Sequence, residues 1–447
     1  MPKISLRLYI NFIKEFWRRY RLLFVVVLGI GTALFLYLPQ IIHRQKTTLR
    51  LGFLGQYEKT DLPLSITSLM SSGLVKIDDH GQAQPALACS WQIENEGKTY
   101  IFHLCPNLYW HDKKPITSKD IHYPFKDIRI EAKDENTLTV ELAKKFSPLL
   151  SLLSRPVFKK DFIGAGEYRL SKIRYTGRFI EELTLRSITN QQKLVIRFYP
   201  SEESLRQAFM LGKIDIIWGI QEPKDLVRFP NVKVKTNISF RQYTAVFFNL
   251  DKDIFQEKAT RQALAYAITK PKGKARATGP LNPQSWAYND FVKTYEKDID
   301  HAKELLKDQE KIKFTLFTFP NLLPLAQQIK EDWEKINVQA DIRVVNFIPS
   351  DYDALLITQI IPDDPDQYWL WHSSQKRTNL SHLNNPRLDQ LLEEGRSTLD
   401  QNKRREIYVD FQKFLLEESP AIFISHPTYY YIYRRGFENS PVPLYNR

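Results

Sequence analysis

The chain has 447 residues, enough for two or three domains of ordinary size. Its 43% hydrophobic and 26% charged residues exclude a wholly disordered or collagen-like chain, and its two cysteines exclude a disulfide-dense scaffold or a four-cysteine metal site. The net charge of +13 suggests nucleic acid or an anionic membrane as partner. However, the first 46 residues hold eight Lys/Arg against Glu15 alone; the rest carries only +6, without basic runs interleaved with aromatics, so no nucleic-acid partner is expected.

From Leu22 to His43 there are 22 consecutive residues without a formal charge. A helix of that length spans roughly 33 Å, enough to cross a hydrocarbon core. Lys3, Arg7, Lys14, Arg18, Arg19 and Arg21 precede it, and Trp17, Tyr20 and Tyr37 stand where interfacial aromatics belong. The positive-inside rule puts the N-terminus in the cytoplasm and everything after Lys46 outside, as a single-pass protein of the cell membrane. The competing reading is a cleaved signal peptide. Leu36–Gln45, LYLPQIIHRQ, offers no small-residue pair for cleavage, and no cysteine follows the apolar run for acylation. Residues 1–46 therefore read as a basic cytoplasmic segment and an uncleaved anchor, helical over about 22–42, set in the lipid bilayer.

Thr48–Phe53 reads as a strand and Leu64–Ser72 as a short helix. Ser90–Glu94 and Thr99–Leu104 read as strands around an Asn95–Gly97 turn. Pairing across that turn brings Cys89 and Cys105 together, and outside the cytoplasm a disulfide there is worth roughly 3 kcal/mol. The alternative is two unlinked buried thiols. Lys126–Ile130 with Thr137–Leu142, then Glu167–Ile173 and Leu194–Tyr199, read as further strands. Ser201–Gly212 is a well-marked helix, with a serine N-cap, Glu202 and Glu203 in the first turn and a terminal glycine. Ile214–Trp218 and Thr244–Asn249 follow as strands, and Glu257–Ile268 and His301–Lys307 as amphipathic helices. Between these two helices, Lys270–Asn289 is a long loop rich in Gly, Pro and Lys. Lys313–Phe319, Pro324–Ile336 and Gln339–Val345 predict a strand–helix–strand unit with parallel strands and a right-handed crossover. Pro386–Ser397 and Gln401–Glu418 are strong helices, and Ala421–Ile424 and Tyr429–Tyr433 return as strands. The composition is α/β with more than one lobe.

Four segments carry a resemblance. Pro85–Asp120 reads PALACSWQIENEGKTYIFHLCPNLYWHDKKPITSKD. Gly212–Asp215 reads G-x-I-D after a helix. Phe248–Asn249 is followed by RQALAYAI at Arg261–Ile268. Asp364–Asp366 is followed by Asn384–Glu393 and Arg405–Phe411. In order and spacing these resemble the peptide/nickel-type solute-binding proteins, family 5, which serve ABC importers of dipeptides and oligopeptides, and they span most of residues 48–435. The resemblance implies a two-lobe type II periplasmic-binding-protein fold, which the transmembrane helix read above would precede. It also implies a hinge of two crossings, near Phe247 and near His426. Lobe 1 would then hold residues 47–247 and 427–447, and lobe 2 residues 248–426. The sequence departs from the family's pattern in three ways, the first being a transmembrane helix where members are usually lipoproteins or free periplasmic proteins. Only Ile121–Asp134 follows the T-x-x-D element, so the accessory subdomain is trimmed. Peptide-binding members carry an aspartate three residues before the D-P dipeptide, and that position is Ile361.

The function implied is an extracytoplasmic receptor that closes its lobes on a peptide or small polar ligand and delivers it to ABC permease and ATPase subunits. The candidate contacts are mostly aromatic and amide groups. Tyr368, Trp369 and Trp371 follow the Asp364–Pro365 turn, with core packing of alternate residues as the competing role. Trp286 and Tyr288 lie in the Gly/Pro-rich loop, and Trp218 ends an apolar strand beside Gly219. Asn249 is expected at the lobe crossing, more as hinge support than as a contact. Trp110 has packing between subdomains as its main competing role. Asp363 could face a cationic group, whereas Asp364 before proline caps a turn. The chain contains no H-E-x-x-H, no G-x-S-x-G and no phosphate-binding G-x-x-x-x-G-K-[ST], so no enzyme, metal or cofactor is expected. The alternatives are a ligand sensor or scaffold that kept the fold without transport, and a membrane-anchored hydrolase.

Overall fold

The computed structural model describes residues 14–20, 26–27, 30–32 and 48–437. Two mixed sheets organise it. Across the first, of seven strands, the order is Val232–Ile238, Thr428–Arg434, Ile216–Ile220, Thr48–Leu54, Lys193–Tyr199, Phe179–Ser187 and Tyr168–Thr176. Thr48–Leu54 runs parallel to both of its neighbours, and the remaining pairs are antiparallel. Leu49, Leu51, Phe53, Leu194 and Ile196 bury one central layer with the helix Leu64–Met70. The opposite face is covered by the helix Glu202–Met210, through Leu205 and Phe209 on Ile214 and Ile217. That helix starts where the sequence says it should, since the Ser201 hydroxyl accepts the Ser204 N–H at 3.2 Å and Gly212 follows with φ of +73°. Val232–Ile238 is an edge strand, and its exposed Lys233 and Lys235 oppose further strand addition.

The second sheet runs Gln339–Val344, Lys313–Thr318, Ala354–Ile360, Gln242–Phe248, Ala421–Ser425. Lys313–Thr318 pairs in parallel with Gln339–Val344, as the strand–helix–strand spacing predicts, and also with Ala354–Ile360. Helices Lys258–Ala267, Ile299–Leu305 and Leu323–Glu334 cover one face around Phe255, Phe314 and Trp333. Pro386–Ser397 and Gln401–Glu418 cover the other around Leu388, Tyr408 and Phe411. Their caps are local: Asn385 accepts from Leu388 N at 3.2 Å and Asp400 from Lys403 N at 2.9 Å.

A four-stranded sheet, Ala88–Glu94, Thr99–Leu104, Thr137–Leu142 and Ile128–Ala132, has its own core around Tyr100, Phe102, Leu138 and Trp110. Cys89 and Cys105 form a disulfide here, with Cα atoms 4.9 Å apart. The short connection Ile121–Asp134 supplies the strand Ile128–Ala132.

The crossings between the sheets correct one expectation. The chain leaves the first sheet at Ile238 and enters the second at Gln242, rather than near Phe247. Gln242–Phe248 pairs along its whole length with Ala354–Ile360, and Phe247 is buried against Trp371, so that residue belongs to the interior of the second sheet. The connection between the two sheets is therefore residues 239–241, ahead of the lobe boundary expected at 247–248. The return passes through His426 and Pro427, between Ala421–Ser425 and Thr428–Arg434. The two crossings are laced together: Ser239 N donates to Pro427 O at 2.9 Å and the His426 Nδ1 lies 2.7 Å from Gln242 O.

Among the described residues, no helix is long and apolar enough to cross a membrane. The anchor expected over Leu22–His43 falls almost wholly outside them.

Candidate functional site

Parallel strands of both sheets end toward the junction of the two lobes, the edge at which α/β sheets present loops to ligands. On the first lobe that edge is aromatic. Trp218, near the end of its strand, meets Tyr431 edge-on at 4.8 Å and stacks on Phe53 at 6.3 Å, and Tyr57 meets Phe198 at 5.2 Å. Gly219, with φ of +73°, lies close to Tyr429 and Tyr431, so the chain bends where the aromatic rings gather. The Tyr429 hydroxyl donates to the Gln242 side chain at 2.7 Å, tying this wall to the hinge.

Besides a contact in which Ser147 N donates to Arg396 O at 2.8 Å, two further contacts join the lobes. The Asn321 amide, just past the strand Lys313–Thr318, donates to the Gln221 side chain at 3.3 Å. At the other, the tip of the hairpin Val75–Ile77/Ala83–Pro85 meets the second lobe. Trp286 N donates to His80 O at 3.4 Å, and a Cβ on Gly81 would stand 3.2 Å from Asp363 O and 3.3 Å from the Trp286 ring.

The Asp363–Asp366 loop carries three carboxylates, and each meets an arginine. Asp363 pairs with Arg241, the residue just before the first strand of the second sheet. Asp364 takes a two-pronged contact from Arg404 at 2.5 and 2.9 Å. Asp366 takes one from Arg396 at 2.8 and 3.1 Å. Burial pushes the Asp366 carboxyl above the ordinary range, against the pull of Arg396. For Arg404, burial opposes the charge, but Asp364 more than offsets it and the guanidinium is held more firmly protonated than usual. The Arg396 guanidinium lies 3.9 Å above the Tyr368 ring and 5.2 Å from Phe146, and Arg404 lies 5.6 Å from Trp286.

The expected contacts divide accordingly. Trp218, Trp286 and Asp363 stand at the junction, and Asp364 is nearby but fully engaged by Arg404. Tyr368 is half-buried, stacked on His372 at 4.1 Å, and Trp369 is 46% exposed. Tyr288 is half-buried, its hydroxyl 2.6 Å from Thr278 Oγ1. Three expectations are corrected. Trp371 is 1% exposed, enclosed by Phe247 and Phe423, and offers no face to a ligand. Trp110 is sealed in the core of the four-stranded sheet. Asn249 lies at the far end of its strand from the hinge, where its amide holds Tyr352 O at 2.8 Å and its carbonyl accepts Asp251 N, a turn-stabilising role. Ile361 is buried in the second-lobe core.

Sequence reasoning missed Arg241, Arg396 and Arg404, because partners 30 to 122 positions distant leave no local pattern. It also missed Tyr57, Tyr429 and Tyr431. The run TYYYIYR at Thr428–Arg434 was the available signal, since alternate tyrosines of one strand share a face. A cavity of about 760 Å³ among Leu306, Ile312, Asn337 and Gln339 lies by the opposite ends of the second-lobe strands, away from the junction.

Comparison with known proteins fits this geometry. Residues 82–379 match the bacterial extracellular solute-binding proteins, family 5. The dipeptide-binding protein of Escherichia coli K12 is 24% identical over 77% of this chain and 81% of its own. Heme-binding protein A of Haemophilus influenzae is likewise 24% identical, over 77% and 79%. Among solved structures, NikZ from Campylobacter jejuni in complex with Ni(L-His) is 23% identical and superposes with a TM-score of 0.73, covering 87% of this chain and 94% of that one. AppA from Bacillus subtilis, in complex with a nonapeptide, is 19% identical with a TM-score of 0.69, over 88% and 97%. With its family profile spanning well over half of the sequence, this chain belongs to the bacterial extracellular solute-binding proteins, family 5.

Proposed function

We propose that the chain is a membrane-tethered receptor that takes up a peptide-like or other small polar ligand bearing apolar groups, and hands it to the permease and ATPase of an ABC importer. The observation that carries this reading is the aromatic and amide wall of Trp218, Tyr429, Tyr431 and Gln221 facing a second lobe across a two-strand hinge. Aromatic faces bury ligand groups, and the amides would satisfy a polar backbone without selecting side chains. No catalytic step is part of this reading. The relatives are themselves binding proteins.

The charge pattern narrows the ligand. Because Asp363, Asp364 and Asp366 each have an arginine partner, their loop offers no unpaired carboxylate to an ammonium group. The ligand would therefore be neutral or acidic where it meets this loop. The division into lobe 1 and lobe 2, with closure about residues 239–241 and 426–427, belongs to the same reading.

For the anchor, the support is the uncharged run Leu22–His43 and its basic flank. Its described residues 26–27 and 30–32 are helical, and Val26, Val27 and Ile30 are exposed rather than packed on either lobe. The N-terminus would be cytoplasmic and the binding lobes extracytoplasmic.

Native mass spectrometry of the detergent-solubilised full chain tests the receptor reading. A small molecule bound one-to-one is expected. Its absence, together with no thermal shift on adding peptide libraries, would sink the reading and favour a scaffold.

A further inference from the structure

The height of the first lobe above a membrane is set by where the chain enters it. We infer that the rim of the first sheet at the start of Thr48–Leu54 is a docking surface for anionic phospholipid headgroups. The inference rests on the anchor reading above.

Only residues 44–47 separate His43, the last residue of the uncharged run, from Thr48. Such a connection reaches at most roughly 18 Å. Thr48 is therefore held within that distance of the end of the uncharged run, and the strand ends beside it are the part of the sheet tethered most closely. The strand register identifies what is there. Thr48 lies opposite Lys193, and Lys193 opposite Arg186. Ile216 is level with Leu51, which brings Lys213 level with Thr48. Arg434 ends its antiparallel strand opposite Val232, just after Phe229. The helix Glu202–Met210 comes down to the same rim, where Arg50 donates to Gly212 O at 2.9 Å and Arg434 to Phe209 O.

The composition of this rim is one-sided. Arg186, Lys193, Lys213, Lys233, Arg434 and Arg435 lie within segments 186–193, 210–215, 229–233 and 434–437. Two acids stand at this rim: Asp215, buried and bound by Arg50, and Glu167, exposed beside Ile188 and accepting from the Thr189 hydroxyl at 3.4 Å. Among the basic groups, Ile188, Met210, Leu211 and Phe229 are exposed, Leu211 by 71%. Basic side chains at phosphate depth with apolar side chains at the acyl boundary make an interfacial surface. A rim of this make-up, held against lipid by a four-residue connection, meets headgroups at high effective concentration. The consequence is an orientation: the first lobe is membrane-proximal, the cleft stands one seven-residue strand, roughly 20 Å, above the rim, and the second lobe is distal.

The test uses the full chain in vesicles of phosphatidylglycerol and phosphatidylethanolamine carrying a nitroxide on the lipid headgroup. A fluorophore is attached at Leu211→Cys on the rim or at Phe347→Cys on the second lobe; both positions are exposed, and the two native cysteines are paired with each other. Quenching at Leu211→Cys is expected to exceed that at Phe347→Cys at least fivefold. It should fall at least twofold on adding Lys213→Glu with Arg435→Glu, or on replacing phosphatidylglycerol with phosphatidylcholine. Equal quenching at the two labels in a protein that floats with the vesicles overturns the inference and leaves the anchor standing. Rim quenching that ignores both the charge reversals and the lipid charge overturns the headgroup claim. A chain that fails to float after an alkaline wash refutes the anchor reading and the inference with it.

Discussion

Asp364 and Arg404 meet through two short hydrogen bonds in a site where both side chains are largely withdrawn from water. Such a pair contributes less by existing than its loss costs, because the partner left behind is a buried, unpaired charge. Arg404→Ala is expected to destabilise the second lobe by about 3–5 kcal/mol in denaturant titrations. Replacing both residues with apolar ones of similar volume should recover most of that loss. The Arg241–Asp363 pair is more open and stands at the junction, so its removal should be read in specificity rather than stability. Arg241→Gln frees the Asp363 carboxylate. Peptides with a free α-ammonium should then bind at least about tenfold more tightly than to the unaltered chain, a change of roughly 1.4 kcal/mol by calorimetry. An unchanged preference would mean that Asp363 does not face the ligand. The reason these residues resisted sequence reading is physical. An aspartate beside proline predicts a turn, and Asp364 does accept the N–H of Asp366 at 2.8 Å. Its main partner comes from a helix forty residues on, and no local rule anticipates it.

At the scale of elements, regions with strong local signals were legible. Helices Pro386–Ser397 and Gln401–Glu418 begin and end where capping residues and periodicity put them. The strands Phe179–Ser187, Val232–Ile238 and Ala354–Ile360 escaped notice, each for a reason. FIEELTLRS reads equally well as an amphipathic helix. VKVKTNI is an edge strand with exposed lysines, and ALLITQI is a short apolar run with no alternation. The crossing was misplaced for a related reason: QYTAVFF is buried on both faces, and nothing in such a run marks where one sheet hands over to the next. The Cys89–Cys105 hairpin was legible because a turn between alternating strands fixes register. Changing both cysteines to serine should lower the stability of the four-stranded sheet by about 3 kcal/mol, with hydrogen exchange rising there before it rises in either lobe. The hinge makes a pH prediction. Burial holds the His426 imidazole below its ordinary pKa despite the Gln242 carbonyl beside it. The unfolded chain, with an imidazole pKa of about 6.5, therefore binds a proton that the folded chain refuses. Stability must then fall as pH drops below about 6.5. Denaturation midpoints between pH 7 and 5 should show that slope, and His426→Gln should flatten it.

At the scale of the whole molecule, the two lobes were legible through motif order, although the boundary between them was not. The charge also acquires a place: part lies before the expected anchor, and part lines the rim where the ectodomain would rest on lipid. The arrangement of two sheets joined by laced crossings implies a closing motion, and a ligand shifts that equilibrium only as far as it binds the closed form better than the open one. The most direct test is a distance between spin labels at Tyr175→Cys on the first lobe and Phe291→Cys on the second, both exposed, titrated with the molecule recovered from the purified protein. The account predicts a shortening of the mean distance, saturating at one equivalent of ligand. A distance distribution that stays the same through saturation would contradict it.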